Sequence, residues 1–523
     1  MTVRPLTPFE GMDIRTLIDG QAVRRGGHPF LVWEPFEGGG DTWSYADIAA
    51  AIRRFAAGLQ ARGVAPGQRV LVHLDNCPES IIAWLGCAYA GAVAVTTNAK
   101  SSRDELAYFA RHSGAVGAIT QPRYAGLLAE AAPNLAWRAV TETDNGAASD
   151  ADVSGYEPFA AIDGEPAALV QRPHDPWAHF GIQYTSGTTA RPKAVLWTHA
   201  NALWGARLCA QHEDLRPEDV HLTHLPLFHT NAQVYSVLAS LWVGATVVLL
   251  PRFSASRFWP ISLKHGATWS SMVPFCVRAL ASQPLPEAHA YRFWGNGVCE
   301  PAWDRRFGVK TIGWWGMTET VAHGVVGSPH QPDAPMSMGR PSPGYEIYVL
   351  DEAGEPVGPG EIGELFVRGQ PGVSLFLEYA GDPVATAAAF REDGLFATGD
   401  RVRLGEDGFL YFADRAKDML KVGGENVAAS EIERVIAGVH GVVEVAVVGM
   451  KHPMLDEVPA AFVIPHSGEA HEALRARIEA ACSATLAAFK QPREIHLVAS
   501  LPRSTLEKVA KAELRAMLRP AGG

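Results

Sequence analysis

The stretch Tyr184-Thr-Ser-Gly-Thr-Thr-Ala-Arg-Pro-Lys193 decides how the rest of the chain is read. A strand-like entry, Gly181-Ile-Gln-Tyr184, runs into small and hydroxylated residues. Arg191 and Lys193 close the loop, and a second apolar run, Ala194-Val-Leu-Trp197, leaves it. Gly187 can adopt backbone angles closed to other residues. Hydroxyls of Thr185, Ser186, Thr188 and Thr189, with exposed backbone N–H groups, can hold anionic oxygens while the cation of Lys193 reaches in. The stretch reads as a phosphate cradle between two strands; taken alone, it also fits a polar hairpin tip. It is not a Walker-type P-loop, which needs Gly-Lys-Ser/Thr opening a helix. Here Pro192 precedes the lysine and an apolar strand follows.

With 523 residues the chain exceeds the usual single-domain limit of about 250–300, so two or more domains are expected. A net charge of −11 argues against a general nucleic-acid binder, which would carry a basic footprint. It leaves room for anionic small molecules, which need only a local cationic site. The six cysteines (77, 87, 209, 276, 299 and 482) are scattered without a Cys-x-x-Cys pair, so neither a zinc site nor a disulfide framework is suggested and a cytoplasmic location fits. The start, Met1-Thr-Val-Arg-Pro-Leu-Thr-Pro, lacks the apolar core of a signal peptide. Two apolar runs, near 81–97 and 234–250, approach membrane-span length. Their internal glycines and polar residues favour buried helix-then-strand segments.

Strand and helix alternate from the start: a strand at Phe30–Trp33, a helix over 45–62 capped by Ser44, strands at 67–74 and 92–96, a helix at 101–113 and a strand at 116–120. That alternation predicts a parallel, helix-covered sheet. After the loop, Thr198 caps a helix to about 212; an apolar helix at 233–242 and a strand at 245–250 follow. From 339 the chain turns strand-rich, with glycine turns that suggest a β-barrel-like subdomain. Beyond about 430, helix, strand, strand, helix and strand make a small α+β unit of about a hundred residues, a common domain size.

Four further segments bear on chemistry. Phe293-Trp-Gly-Asn-Gly-Val298 is a strand ending in a Gly-x-Gly turn, against which a flat ring can lie. Gly313-Trp-Trp-Gly-Met-Thr-Glu319 ends in a carboxylate; its two tryptophans fit core packing or a ligand ring. Ala397-Thr-Gly-Asp400 fits an ordinary turn or a ribose-binding aspartate. Asp414-Arg-Ala-Lys-Asp-Met-Leu-Lys-Val-Gly-Gly-Glu-Asn-Val427 fits a charged surface hairpin or something more specific.

In this order, and with Leu501-Pro-Arg-Ser-Thr-Leu-Glu-Lys508 at the end, the motifs resemble those of the adenylate-forming superfamily: acyl-CoA synthetases, peptide-synthetase adenylation domains and beetle luciferases. The resemblance runs from residue 10 to about 515. It implies an α/β fold with a large N-terminal domain (1–414) of two α/β sheet subdomains plus the β-barrel-like one, and a small mobile α+β C-terminal domain (415–523). By the same match Thr185, Ser186, Gly187, Thr188, Thr189 and Lys193 hold phosphates. Gly295, Asn296, Gly297, Trp315, Gly316 and Met317 border adenine, Trp315 by packing on it. Thr318 approaches the α-phosphate and Glu319 helps hold Mg²⁺, a hard cation that takes one or two carboxylates plus phosphates. Asp400 and Arg415 take the ribose, and Lys417 is the hinge. Gly423, Gly424 and Glu425 let the pantetheine arm of coenzyme A pass, and Lys508 is the catalytic lysine, with Lys511, a turn inside the following helix, the poorer substitute and a plain surface lysine the alternative. The family carries glycine directly before that lysine; this chain carries Glu507.

The segments Leu225-Pro-Leu-Phe-His-Thr-Asn-Ala-Gln233 and Phe253-Ser-Ala-Ser-Arg-Phe-Trp259 resemble the branch containing crotonobetaine/carnitine-CoA ligases. His229, Asn231, Gln233, Val273, Pro274, Asn296 and Met317 then line the acyl pocket; for His229 a purely structural role is the alternative. The implied activity is ATP- and Mg²⁺-dependent ligation of a small carboxylic acid to coenzyme A through an acyl-adenylate. Loading of a separate carrier protein is the second reading, and a nucleotide- or acyl-CoA-binding protein without catalysis the third. No nucleic-acid partner and no membrane span are expected, and a homodimer is left open.

Overall fold

The structure is a computed structural model; it describes residues 6–185, 192–415, 419–422, 425–452, 455–486, 488–503 and 509–518. The chain divides into two compact units. One comprises residues up to Ile347 with Val367–Phe396; the other comprises Tyr348–Phe366 and the residues from Ala397 onward. The expected boundary at 414/415 falls inside the second unit.

The first unit holds two large sheets. The eight-stranded sheet runs Glu378–Tyr379, Lys193–Thr198, His179–Thr185, Val93–Thr96, Arg69–His73, Gly117–Thr120, Trp137–Val140 and Glu157–Pro158. Its pairs are parallel from His179–Thr185 onward and antiparallel on the Lys193–Thr198 side. The nine-stranded sheet has a parallel centre, with Trp269–Ser271, Phe293–Asn296 and Lys310–Trp315 side by side. Apolar side chains from both faces explain the near-continuous hydrophobic runs in the sequence, since helices cover a parallel sheet on either side. In the eight-stranded sheet Leu71, Val93, Val95, Ile182 and Leu196 pack with Leu106 and Phe109 of the helix Arg103–Ser113.

Local signals set the helix starts. Ser44, Ser102 and Thr198 each accept a backbone N–H three residues on, and Asp47, Glu105 and Asn201 reach back to complete a capping box. The two long apolar runs are helix-then-strand segments: Pro78–Ala90 with Val93–Thr96, and a helix ending at Val243 with Thr246–Leu249. Among the described residues no helix is long and apolar enough to cross a membrane. The helix expected over 233–242 opens as a π-helix, Asn231–Leu238, before an α-helix at Ala239–Val243. Such wide turns are rare and frequently mark functional sites.

In the second unit the strand-rich region forms a four-stranded sheet of Glu346–Leu350, Ile362–Arg368, Phe396–Leu404 and Leu410–Arg415, whose first and third strands begin and whose second ends just within the other unit. The C-terminal part has a five-stranded sheet with the helices Ala429–Ala437 and His471–Thr485. Its core joins Ile432 and Ile436 to Leu474 and Ile478 and to Val447, Ala461 and Val463 of the sheet.

Candidate active site

The strands flanking the signature loop form an antiparallel pair in which Thr185 stands opposite Lys193. The two residues that open and close the loop are therefore side by side at its mouth. Ser186, Gly187, Thr188 and Thr189 lie outside the described residues, as do Lys417, Gly423, Gly424 and Lys508.

Lys193 meets a residue that the sequence reading did not single out. The two-residue strand Glu378–Tyr379 adds to the sheet edge, pairing Tyr379 with Val195. The Lys193 ammonium sits over the Tyr379 ring, 4.5 Å from its centroid. The same tyrosine donates its O–H to Glu319 Oε1 at 2.9 Å. Glu319 is held from the backbone as well, its carbonyl accepting from Phe376 N–H at 2.8 Å. Burial and the adjoining Glu319 carboxylate push the Tyr379 phenol far up, so it stays a donor. One ring thus spaces a cation from a buried carboxylate at the mouth of the loop.

The turn carrying Glu319 is strained. Val321, a buried β-branched residue, has φ +63°, a conformation that costs on the order of 1–3 kcal/mol and persists only where its surroundings impose it. Thr320 imposes it here: its hydroxyl accepts from Met317 N–H at 2.9 Å, and its carbonyl accepts from the Tyr345 hydroxyl. Thr318 is tied on two sides, its carbonyl accepting from Trp197 Nε1 at 2.9 Å and its hydroxyl lying 3.2 Å from Thr230 Oγ1, within hydrogen-bond distance.

Beneath it lies a buried polar network. Thr230 donates to Gln183 Oε1 at 2.8 Å, Gln183 donates to Gln233, and Gln233 donates to Leu227 O at 2.7 Å and Thr96 Oγ1 at 3.2 Å. Gln233, expected in the acyl pocket, is 1% exposed with both amide atoms engaged in this network. Asn231 accepts from Ser271 Oγ at 2.6 Å, His229 is half-buried against Phe228, Val273 directly precedes the helix that Pro274 begins, and Met317 is half-buried.

Of the two tryptophans, Trp314 is a packing residue. It stacks on His323 at 4.4 Å and on Trp269 at 6.3 Å. A Cβ on Gly295 would fall 1.6 Å from the Trp314 ring, so that glycine makes room for an indole of this chain. Gly297 faces open space, with nothing within 4 Å of where its Cβ would be. Between them Asn296 is 1% exposed, and its Oδ1 has no partner among the described residues. Trp315 is buried beside Gly324, and Gly316 faces the Tyr235 hydroxyl.

In the second unit, Asp400 and Arg415 are directly opposed across an antiparallel pair. Gly399 before Asp400 has φ +70°, and Asp400 N–H bonds to Thr398 Oγ1 at 3.1 Å. Glu425 starts the strand Glu425–Ala428. Lys511, the other lysine near the C-terminal motif, begins the helix Lys511–Met517 and is ion-paired to Glu433 at 2.8 Å.

Residues 18–380 match the AMP-binding enzyme family, and residues 431–508 match the AMP-binding enzyme C-terminal domain. The chain belongs to the AMP-binding enzyme family, and it is an acid–thiol ligase of the AMP-forming kind, using ATP, Mg²⁺ and coenzyme A. It is similar to crotonobetaine/carnitine–CoA ligase of Escherichia coli O7:K1, at 35% identity over 97% of this chain and 99% of that protein. The same holds for the enzyme so named from Citrobacter koseri, again at 35% identity and the same coverage. Among solved structures, ATP-bound MatB from Rhodopseudomonas palustris has a TM-score of 0.84 at 27% identity, covering 97% of this chain and 99% of that one. O-succinylbenzoate coenzyme A synthetase from Bacillus subtilis, in complex with ATP and magnesium ion, has 0.81 at 26%, covering 96% and 99%.

Tyr379→Phe keeps the ring under Lys193 and removes only the hydrogen bond to Glu319. A hydrogen bond to a charged group is worth about 1.5–3 kcal/mol, so adenylation is expected to fall about tenfold and to need more Mg²⁺. ATP–pyrophosphate exchange across a Mg²⁺ series reads this; an unchanged Mg²⁺ profile would separate Tyr379 from the Glu319 carboxylate.

Proposed function

We propose that this ligase activates a short, polar carboxylic acid in the cytoplasm and passes it to coenzyme A, with the residue roles that follow. In the first step a carboxylate oxygen of the acid attacks the α-phosphorus of ATP, an acyl–phosphate bond forms, and pyrophosphate leaves. Two anions must meet, so catalysis is mostly positioning and neutralisation of charge. Lys193 and the hydroxyls of Thr185, Ser186, Thr188 and Thr189 take phosphate oxygens, Thr318 takes the α-phosphate, and Lys508 adds a second cation. Glu319 fits Mg²⁺: it is a buried oxygen donor whose orientation Tyr379 fixes. When bound there the ion neutralises phosphate charge. Asn296 Oδ1, a buried acceptor awaiting a donor, suits the exocyclic amine of adenine, with Trp315 against the ring and Gly297 leaving space. Asp400 and Arg415 hold the ribose. In the second step the coenzyme A thiolate attacks the acyl carbonyl carbon and AMP leaves. Lys417 is the hinge that exchanges Lys508 for the 423–425 hairpin, which sets the functional boundary at 414/415.

The observation that carries the reading is the Lys193–Tyr379–Glu319 set at the mouth of the hydroxyl-rich loop. His229, Asn231, Val273, Pro274 and Met317 mix polar and apolar character, which supports a polar acid. Packing of Tyr235, Trp314 and His323 behind Gly316 supports a short one. Six free, buried cysteines support a reducing compartment. The test is pyrophosphate release with ATP, Mg²⁺ and a panel of acids including crotonobetaine, carnitine, malonate, benzoate and long-chain fatty acids. Short polar acids are expected to release pyrophosphate, with AMP release dependent on coenzyme A. Turnover confined to long-chain acids would overturn the substrate class, and AMP release only with a carrier protein would overturn the acceptor.

A further inference from the structure

Beside Trp314 lies a buried cluster of titratable side chains outside the set that carries the chemistry of the ligase reaction. Cys209 belongs to the helix His199–His212, and Glu213 caps that helix's C-terminus. His323 follows the strained turn after Glu319. All three side chains are at most 1% exposed, and their donor atoms lie within 4.8 Å of one another. His323 Nε2 is 3.9 Å from Glu213 Oε1, beyond hydrogen-bond reach. Neither Glu213 oxygen nor either nitrogen of His323 has a hydrogen-bond partner among the described residues.

Four unpartnered polar atoms in one buried spot demand an explanation, because each such atom costs about 1–3 kcal/mol. Burial pushes the Glu213 carboxyl well up and the His323 imidazole well down, so both can be neutral. Neutrality removes the charge but not the missing partners. The Trp314 ring stacks on His323 at 4.4 Å and the Tyr235 ring centre lies 4.0 Å away on a tilted plane, so aromatic rings pack the imidazole without giving its nitrogens a hydrogen-bond partner. A single cation between the three groups would engage all of them.

We propose that Cys209, Glu213 and His323 form a buried zinc site. The ligand set chooses the metal: a thiol, an imidazole and a carboxylate suit Zn²⁺, whereas Mg²⁺ and Ca²⁺ want oxygens only. Zinc bonds of about 2.0–2.3 Å in tetrahedral geometry place donors about 3.3–3.6 Å apart, so these donors need close by little more than an ångström. Three protein ligands leave a fourth position for a water or another donor. The ion ties the helix His199–His212 to the loop that aims Glu319. The spacing of the cysteines suggested no zinc site because the third ligand comes from a distant element.

The test uses the full chain produced in zinc-supplemented medium and dialysed against metal-free buffer. About one zinc per chain is expected, as for a site built into the folded protein. Cobalt(II) exchanged into the wild-type protein is expected to give near-ultraviolet thiolate-to-cobalt absorption and the intense visible bands of a tetrahedral site, which needs no variant to fold. Glu213→Gln, which keeps the side-chain volume and matches the neutral carboxyl, and Cys209→Ser are expected to lose the metal and, for the latter, the near-ultraviolet band. Wild-type protein without stoichiometric zinc and without the cobalt bands overturns the proposal. So does metal retained in both variants, which marks an adventitious surface site. A Glu213→Gln variant that changes only the KM for a cationic acid, with no metal in the wild type, overturns it in favour of an acid-binding role.

Discussion

Glu319→Gln is expected to lower adenylation by about 10²–10³-fold, the scale on which loss of one preorganised electrostatic group acts, while leaving the thermal midpoint near that of the parent. The substitution is close to isosteric, and the amide oxygen can still accept from the Tyr379 hydroxyl that now reaches Oε1 at 2.9 Å. The Phe376 N–H bonds to the backbone carbonyl, so it survives. What disappears is the negative charge, and with it the affinity for a hard divalent cation. The loss should therefore be partly recovered at high Mg²⁺, which a purely steric lesion would not show. Pyrophosphate exchange at several Mg²⁺ concentrations measures it. A variant as active as the parent at low Mg²⁺ would remove Glu319 from the metal and leave its carboxylate a structural partner of Tyr379. Double substitution with Tyr379→Phe tests the same point: two residues acting through one contact should cost less together than the product of their separate effects.

The parts of this arrangement that could be read beforehand are those decided within a few residues. Ser44, Ser102 and Thr198 announce helix starts because each cap and its reciprocal partner are three positions apart. The two strands that flank the loop before Lys193 and the strand that leads into Glu319 are legible for the same reason, as contiguous stretches. What stayed hidden depends on chain partners far apart. Tyr379 belongs to a strand of only two residues, too short to show a period, and becomes meaningful only when pairing sets it beside Val195. Gln233 stands in a motif that suggests a pocket wall. The π-turn at Asn231–Leu238 changes which way each residue faces, and Gln233 joins Gln183, Thr96 and Leu227 instead. Gly295 looked like backbone cleared for a ligand ring, and the ring that uses the clearance is Trp314. The compact units, too, divide elsewhere than a reading by motif suggests, because Tyr348–Phe366 pairs with strands that come later in the chain.

Lys508→Ala is expected to lower adenylation by about 10³-fold, the lower end of what a cation brought onto a transferring phosphoryl group contributes, and to spare thioester formation from supplied acyl-adenylate. The two half-reactions make different demands. Pyrophosphate departure builds charge around the α-phosphorus, where an extra ammonium is worth most. Thiol attack on the acyl carbon releases AMP, whose charge was already present in the adenylate. Lys511 is poorly suited to substitute for the lost cation, since it begins a helix and its ammonium is paired to Glu433 at 2.8 Å. Glu507, where the family carries glycine, sharpens the test. If its carboxylate weakens the field of Lys508, Glu507→Gly should raise adenylation in the parent and do nothing in the Lys508→Ala background. Measuring pyrophosphate exchange and, separately, acyl-coenzyme A formation from synthetic adenylate distinguishes the outcomes. Equal loss in both assays would mean that Lys508 serves the fold or the thiol step, and the cation of the first step would have to come from Lys193 alone.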